Sequence, residues 1–342
     1  MTPRRSLLTL CLVSSTALAS PQDAASVASA TKNAQLQQQR EEVLKEVEKV
    51  HKLTPEQTRQ MREVFNGSAF IGQGNPAVTK RPLTREECRT RASSAKVSFE
   101  NAENERICKG PYMAPLYNPA TQKPSDAKSC VDLFEFPNVP CDYPVVWVRT
   151  REAHLICESM GKRLCDAHEW EGACEGSLQQ PDYPWHLAKG KDANAAVNAM
   201  RFEYNRTHKH LYAYGGSEYR KGVCAANSTK DSACNGGQWK TCGSNHYPAG
   251  SFPSCKSPLG VYDLHGNAAE HMNLPLNESQ MTSKGSKELG VTEMKGSWFI
   301  WDKYQAHPDW CRWRAPYWHG TRVMDKESHH NYHLGFRCCK SL

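Results

Sequence analysis

The 342-residue sequence has no CxxC pair, no block of basic residues and no internal repeat. The first absence argues against structural zinc, whose sites usually carry such a pair. The second argues against nucleic acid, because a net charge of +7 spread along the chain makes no basic stripe. Removing Arg4 and Arg5 with the N-terminal leader leaves +7 − 2 = +5. Beyond that leader no apolar run approaches the roughly 18 residues of a membrane span. The third absence excludes solenoids and propellers.

What is present starts with "MTPRRSLLTLCLVSSTALAS", a basic start, an apolar stretch and a small-x-small site at Ala17–Ala19. It reads as a cleaved signal peptide over residues 1–19, with Cys11 inside the apolar core rather than at a lipidation site. A secreted or periplasmic location follows. Fourteen of the 15 cysteines lie beyond it, an even number that suits an oxidising compartment and as many as seven bridges.

Residues 20–35 are Ala-, Ser- and Gln-rich and read as a linker. "QREEVLKEVEKVHKL" then puts Val43, Val47 and Val50 on one helical stripe. "LTPEQ" is a capping box from Thr54 to Gln57 with Pro55 at the first helical position. Residues 36–127 are therefore expected to form a helical N-terminal extension with a hairpin packed on the rest. Past Cys88 the texture turns to Gly, Pro, Asn and Trp. Thr150 is the expected N-cap of one helix, and Asp166 with Glu169 caps a second. From Gly176 onward the reading is irregular loops and short strands. The class is α+β with few regular elements.

The stretch "GVYDLHGNAAEH", residues 260–271, sets Asp263 and Glu270 seven apart around a Gly266–Asn267 step. By itself it reads first as a sharp turn and second as a cation loop, since calcium takes carboxylate and carbonyl oxygens from kinked loops.

Four blocks in series, "YPVVWVRTREAHLICESMGKRLCDAHEWEGAC", "SPLGVYDLHGNAAEH", "KGSWF" and "HLGFRCC", together resemble the formylglycine-generating enzyme, or sulfatase-modifying factor, family. The resemblance covers residues 128–342. It implies a calcium-stabilised, C-type-lectin-like fold and a family calcium site with Asp263, Gly266, Ala268 and Glu270 as ligands. It also implies the disulfides Cys157–Cys338 and Cys174–Cys311. Where His271 stands, relatives usually have Trp.

The family's oxidase chemistry uses two cysteines five residues apart that bind copper. Those places align here with Ile300 and Ala306, and no two cysteines of the chain have that spacing. Copper is accordingly not expected. The reading is a calcium-stabilised recognition or structural module that has lost the thiol oxidase. The alternative is an oxidoreductase of the family working from a different, non-cysteine site. Trp301, Trp310, Trp313 and Trp318 are the candidate surface for a protein or glycan ligand. His307, His319, His329, His330 and His333 read as a solvated loop rather than a metal set.

Overall fold

The stripe and the capping box at the N-terminal side both become helices, and together they cover one flank of the molecule. The computed structural model describes residues 21–316 and 320–342, with side chains from residue 34 onward; the expected signal peptide lies outside them. Helix α1 runs Pro21–His51, so its backbone passes through most of the stretch expected as linker. Helix α2, Pro55–Gly67, starts at Thr54, whose hydroxyl accepts from Gln57 N while the Gln57 side chain accepts from Thr54 N. Val43 and Val47 of α1 and Met61 and Phe65 of α2 are buried against Ile156, Phe136 and Phe336. The hairpin is thus part of a shared core, because its apolar stripe is wide enough to meet both its own partner and the domain. The His51 ring closes the contact, donating from Nε2 to the Pro137 carbonyl at 3.0 Å.

Two further short helices, α3 (Arg85–Ser94) and α4 (Ala102–Cys108), precede strand β1 (Met113–Leu116). β1 pairs antiparallel with β2, Ser129–Asp132. The border expected between 127 and 128 therefore falls between two paired strands. Disulfides Cys88–Cys141 and Cys108–Cys130 join the same two parts covalently.

Helix α5 is Thr150–Ser159. Its N-cap is Arg149 rather than the expected Thr150, with the Glu152 carboxylate accepting from Arg149 N at 2.7 Å. Thr150 is needed elsewhere, as described below. Strand β3 (Arg163–Leu164) leads to α6, Ala167–Glu175. There Glu169 accepts from Asp166 N at 3.0 Å, whereas the Asp166 carboxylate turns to Asn273, Thr282 and Ser283. Against the expectation of loops after Gly176, α7 spans Ala193–Thr207. Asp192 caps it, and Ala196, Val197, Met200 and Tyr204 bury one stripe.

The remaining strands are β4 (Ala269–Leu274), β5 (Val291–Lys295), β6 (Leu334–Phe336) and β7 (Cys338–Ser341). They complete two sheets, ordered β1-β2-β7-β3 and β5-β4-β6. The pairs in the first sheet are antiparallel, while β4 runs parallel to β6. β6 and β7 are consecutive, so the last strand crosses from one sheet to the other at Arg337. Such short strands bury little area each, and seven disulfides hold the intervening loops.

Candidate functional site

The stretch 260–271 turns sharply because Asp263, Gly266 and Asn267 all take positive φ, at 56°, 79° and 54°. At Gly266 a Cβ would stand 2.8 Å from the Ala225 carbonyl oxygen, so only glycine fits. Asn267 fixes the turn by exchanging two side-chain bonds with the Tyr247 backbone, at 3.0 and 3.2 Å. Its own N–H donates to Ala225 O.

This turn brings Asp263 and Glu270 to Arg337 at the sheet crossing. Arg337 forks onto both Glu270 oxygens at 2.7 and 2.6 Å and donates to the carbonyls of Asp132, Leu133 and Tyr262. Trp170 Nε1 donates to the same carboxylate at 3.1 Å. A third carboxylate, Glu135, accepts from Ala268 N at 3.2 Å. Asp263 accepts from Gly250 N at 2.6 Å. Asp263 Oδ1 and Glu135 Oε2 are buried without a partner. Burial pushes Asp263 up to about 7 and Glu135 well above its usual range, with Asp263 adding to the rise at Glu135.

Calcium fits this centre in part. Asp263 offers an unpartnered carboxyl oxygen, and so does Glu135, which the sequence reading did not name. Glu270 is occupied: its oxygens already accept from Arg337 and Trp170. Among the described residues no three His, Cys, Asp or Glu side chains group closely enough to hold a metal by themselves. Any calcium would therefore lean on Asp263, Glu135 and backbone carbonyls such as those expected at Gly266 and Ala268.

The departure at His271 is absorbed by a buried chain of hydrogen bonds. Its Nε2 donates to Val148 O at 2.9 Å, which leaves Nδ1 to accept from Thr150 Oγ1 at 3.0 Å. Thr292 in turn donates to Thr150 at 2.8 Å. This is why Thr150 does not cap α5.

The second region is the segment 298–313. Ile300 lies in an aromatic core with Trp147, Phe299 and Trp301, while Ala306 is exposed. Cys311 is bonded to Cys174 and Cys157 to Cys338, with S–S distances of 2.03 and 1.99 Å. The other ten cysteines beyond the leader pair as Cys88–Cys141, Cys108–Cys130, Cys165–Cys339, Cys224–Cys255 and Cys234–Cys242. Every cysteine among the described residues is therefore oxidised.

Two of the four tryptophans expected at a surface, Trp301 and Trp313, face inward. They are only 4% and 6% exposed, because each ring packs into a cluster of other apolar side chains. Trp310 is half-buried and stacks on His210 at 3.7 Å. Trp318, with His319, lies outside the described residues. Three of the histidines expected in a solvated loop pack on aromatic rings. His307 stacks on Trp313 at 4.5 Å, His333 packs on Trp298 at 4.1 Å, and His330 stacks on Phe70 at 5.4 Å.

Tyrosines take the outer positions instead. Tyr212, Tyr214 and Tyr219 ring His265 at 5.4, 5.9 and 5.3 Å, and His265 Nδ1 is paired with the buried Asp309. Tyr219 donates to Asp302, and Tyr304 is 55% exposed. The sequence carried a signal for this loop in "YAYGGSEY", a Tyr, Gly and Ser texture common in binding loops.

The crossing strand, the carboxylate centre and the disulfide staples define a loop-rich α+β domain held by few strands. A family model described as the sulfatase-modifying factor enzyme 1-like domain matches residues 121–342, and the chain belongs to that family. Among solved structures it is similar to one titled CarF, at 13% identity and TM-score 0.28, covering 76% of this chain and 84% of that one. It is also similar to PvdO from Pseudomonas aeruginosa, at 15% identity and TM-score 0.29, covering 67% and 91%. At such TM-scores neither likeness extends to a shared site. No curated protein matches the chain.

Proposed function

We propose that this chain is an exported recognition or structural module, built on the family scaffold and stabilised by calcium, which does not carry out copper-dependent formylglycine formation. The observation that carries this reading is the state of the sulfurs. The oxidase chemistry needs two thiolates on one soft metal. Here the aligned places hold an isoleucine in the core and an exposed alanine; the nearest cysteine in sequence, Cys311, is bonded to Cys174, and the cysteines that share Ile300's cluster, Cys234 and Cys242, are bonded to each other. A bridged sulfur is neither a nucleophile nor a cuprous ligand. Export is supported by the leader-like start and by seven disulfides, which persist in oxidising compartments. The calcium reading is supported by the two unpartnered carboxylate oxygens of Asp263 and Glu135.

The test combines thiol titration, metal analysis of untagged protein and incubation with a sulfatase-type CxPxR peptide. The expected result is no free thiol, calcium without stoichiometric copper, and no aldehyde on the peptide. Aldehyde formation overturns the reading.

One observation favours the alternative, an oxidoreductase with a non-cysteine site. The buried His265–Asp309 pair has the form of an oriented base, with Tyr219 beside it. Under that reading a redox-active metal or organic cofactor copurifies, and His265→Gln abolishes turnover without unfolding the protein.

A further inference from the structure

The loop 208–230 and the turn 298–313 meet as one face. Cys311 N donates to Leu211 O at 2.8 Å, Asp302 N to Ala226 O at 2.7 Å, and Lys303 Nζ to Ser228 O at 3.1 Å. Tyr219 bonds Asp302 across the same seam. Tyr212, Tyr214 and Tyr219 each show part of a ring, and Tyr304 shows more than half of its surface.

Cations stand beside these rings. The Arg220 guanidinium lies 4.3 Å over Tyr214, and the Lys230 ammonium 5.3 Å from the centre of Tyr304. Lys209, Lys221 and Lys303 are exposed on the same segments. None of these five cations is ion-paired with a carboxylate among the described residues. The opposing charge on the face is Glu218, which is exposed, and Asp302, one of whose oxygens is taken by Tyr219. Asp231, close by in sequence to Lys230, is already paired with Lys80.

Exposed ring faces suit the C–H faces of sugars, and unneutralised cations attract sulfate or carboxylate groups. A peptide partner would normally anchor apolar side chains in a pocket. The only large hydrophobic side chain exposed on these segments is Tyr304, which is flat and flanked by an ammonium. We propose that this face binds an acidic polysaccharide, with Arg220, Lys221 and Lys230 meeting its anionic groups and Tyr304 a sugar ring. The proposal deepens the recognition reading and rests on it.

The test uses the full chain and immobilised heparin as the probe. The protein is retained at low salt and released as ionic strength rises, because exposed charges are screened. The triple variant Arg220→Gln, Lys221→Gln, Lys230→Gln binds about tenfold more weakly. A control triple at the C-terminal end of α1 and the turn after it, Lys45→Gln, Lys49→Gln, Lys52→Gln, loses the same charge and changes affinity less than about twofold. Tyr304→Ala weakens heparin binding about fivefold and leaves binding to poly-glutamate unchanged. Near-UV circular dichroism checks that each variant is folded.

Equal losses in the two triples would reduce the effect to net charge and overturn the proposal. So would absence of retention at low salt, or poly-glutamate binding as tight as heparin binding with no dependence on Tyr304. These outcomes leave the recognition reading standing for another ligand. Aldehyde formation on the CxPxR peptide removes that reading instead, so the two failures are distinguishable.

Discussion

The carboxylate centre around Arg337 and the aromatic segment 298–313 lie in the same family domain but are built on opposite principles. In the first, every charge is placed by the backbone. Arg337 sits at the one point where the last strand changes sheets, and Glu270 faces it from β4. In the second, side chains that could be polar or reactive are replaced by rings packed on rings. Ile300, Phe299, Trp301 and Trp147 share a cluster built mainly of apolar and aromatic side chains. The centre joins two sheets and cannot change without loosening both. The segment is a loop stapled at Cys311, so its chemistry can be exchanged while the scaffold stays.

The largest effect is expected at the centre. Arg337→Met leaves Glu270 buried without its cation, and unfolding by denaturant should show a loss of about 3–5 kcal/mol. Adding Glu270→Gln should recover part of that loss; no recovery would mean that the guanidinium acts through its carbonyl contacts instead. In the segment, Trp301→Ala should cost about 3–5 kcal/mol as a core truncation and leave heparin binding of the folded protein intact. A selective loss of binding would return Trp301 to the surface.

A smaller effect concerns calcium. In saturating calcium at about a hundred times Kd, wild type should gain about 2.7 kcal/mol over chelated protein. Asp263→Ala should remove the response, measured as the shift in Tm with and without chelator. An unchanged response would take Asp263 out of the site.

The smallest expected effect is one of pH, in the neighbouring cluster around Phe70 and Trp147. Burial, with Arg149 and His329 nearby, holds His330 down at about 4. The neutral ring is the folded form, and the unfolded chain takes up its proton near 6.5. The stabilisation is therefore complete above pH 6.5 and fades as pH falls from 6.5 towards 4. Near-UV circular dichroism of the Phe70–Trp147–His330 cluster should weaken over that window, and His330→Phe should flatten the change. A midpoint outside it would contradict the assignment.

Much of the N-terminal half was legible in the sequence because its signals are local. Thr54 and Gln57 are three residues apart, and Val43 and Val47 share a helix face whatever they pack against. Helix α7 was missed although Asp192 caps it and Ala196, Val197, Met200 and Tyr204 repeat at helical spacing. Asn, Gly and Lys on either side dilute that stripe. The cap of α5 was misplaced by one residue because Thr150 is drawn off to His271, a partner 121 residues away.

By itself the chain determined the two N-terminal helices, the kinked turn at Gly266–Asn267 and the want of two cysteines five residues apart, since each depends on neighbours in sequence. Only the folded arrangement decided that Glu135 and Arg337 join Asp263 and Glu270, that Trp301 and Trp313 face inward, and that tyrosines with unpaired cations face water. Those outcomes depend on which segments approach across long stretches of chain, 67 residues between Glu270 and Arg337 and 83 between Tyr219 and Asp302. A burial preference common to every large ring does not say which ring is covered.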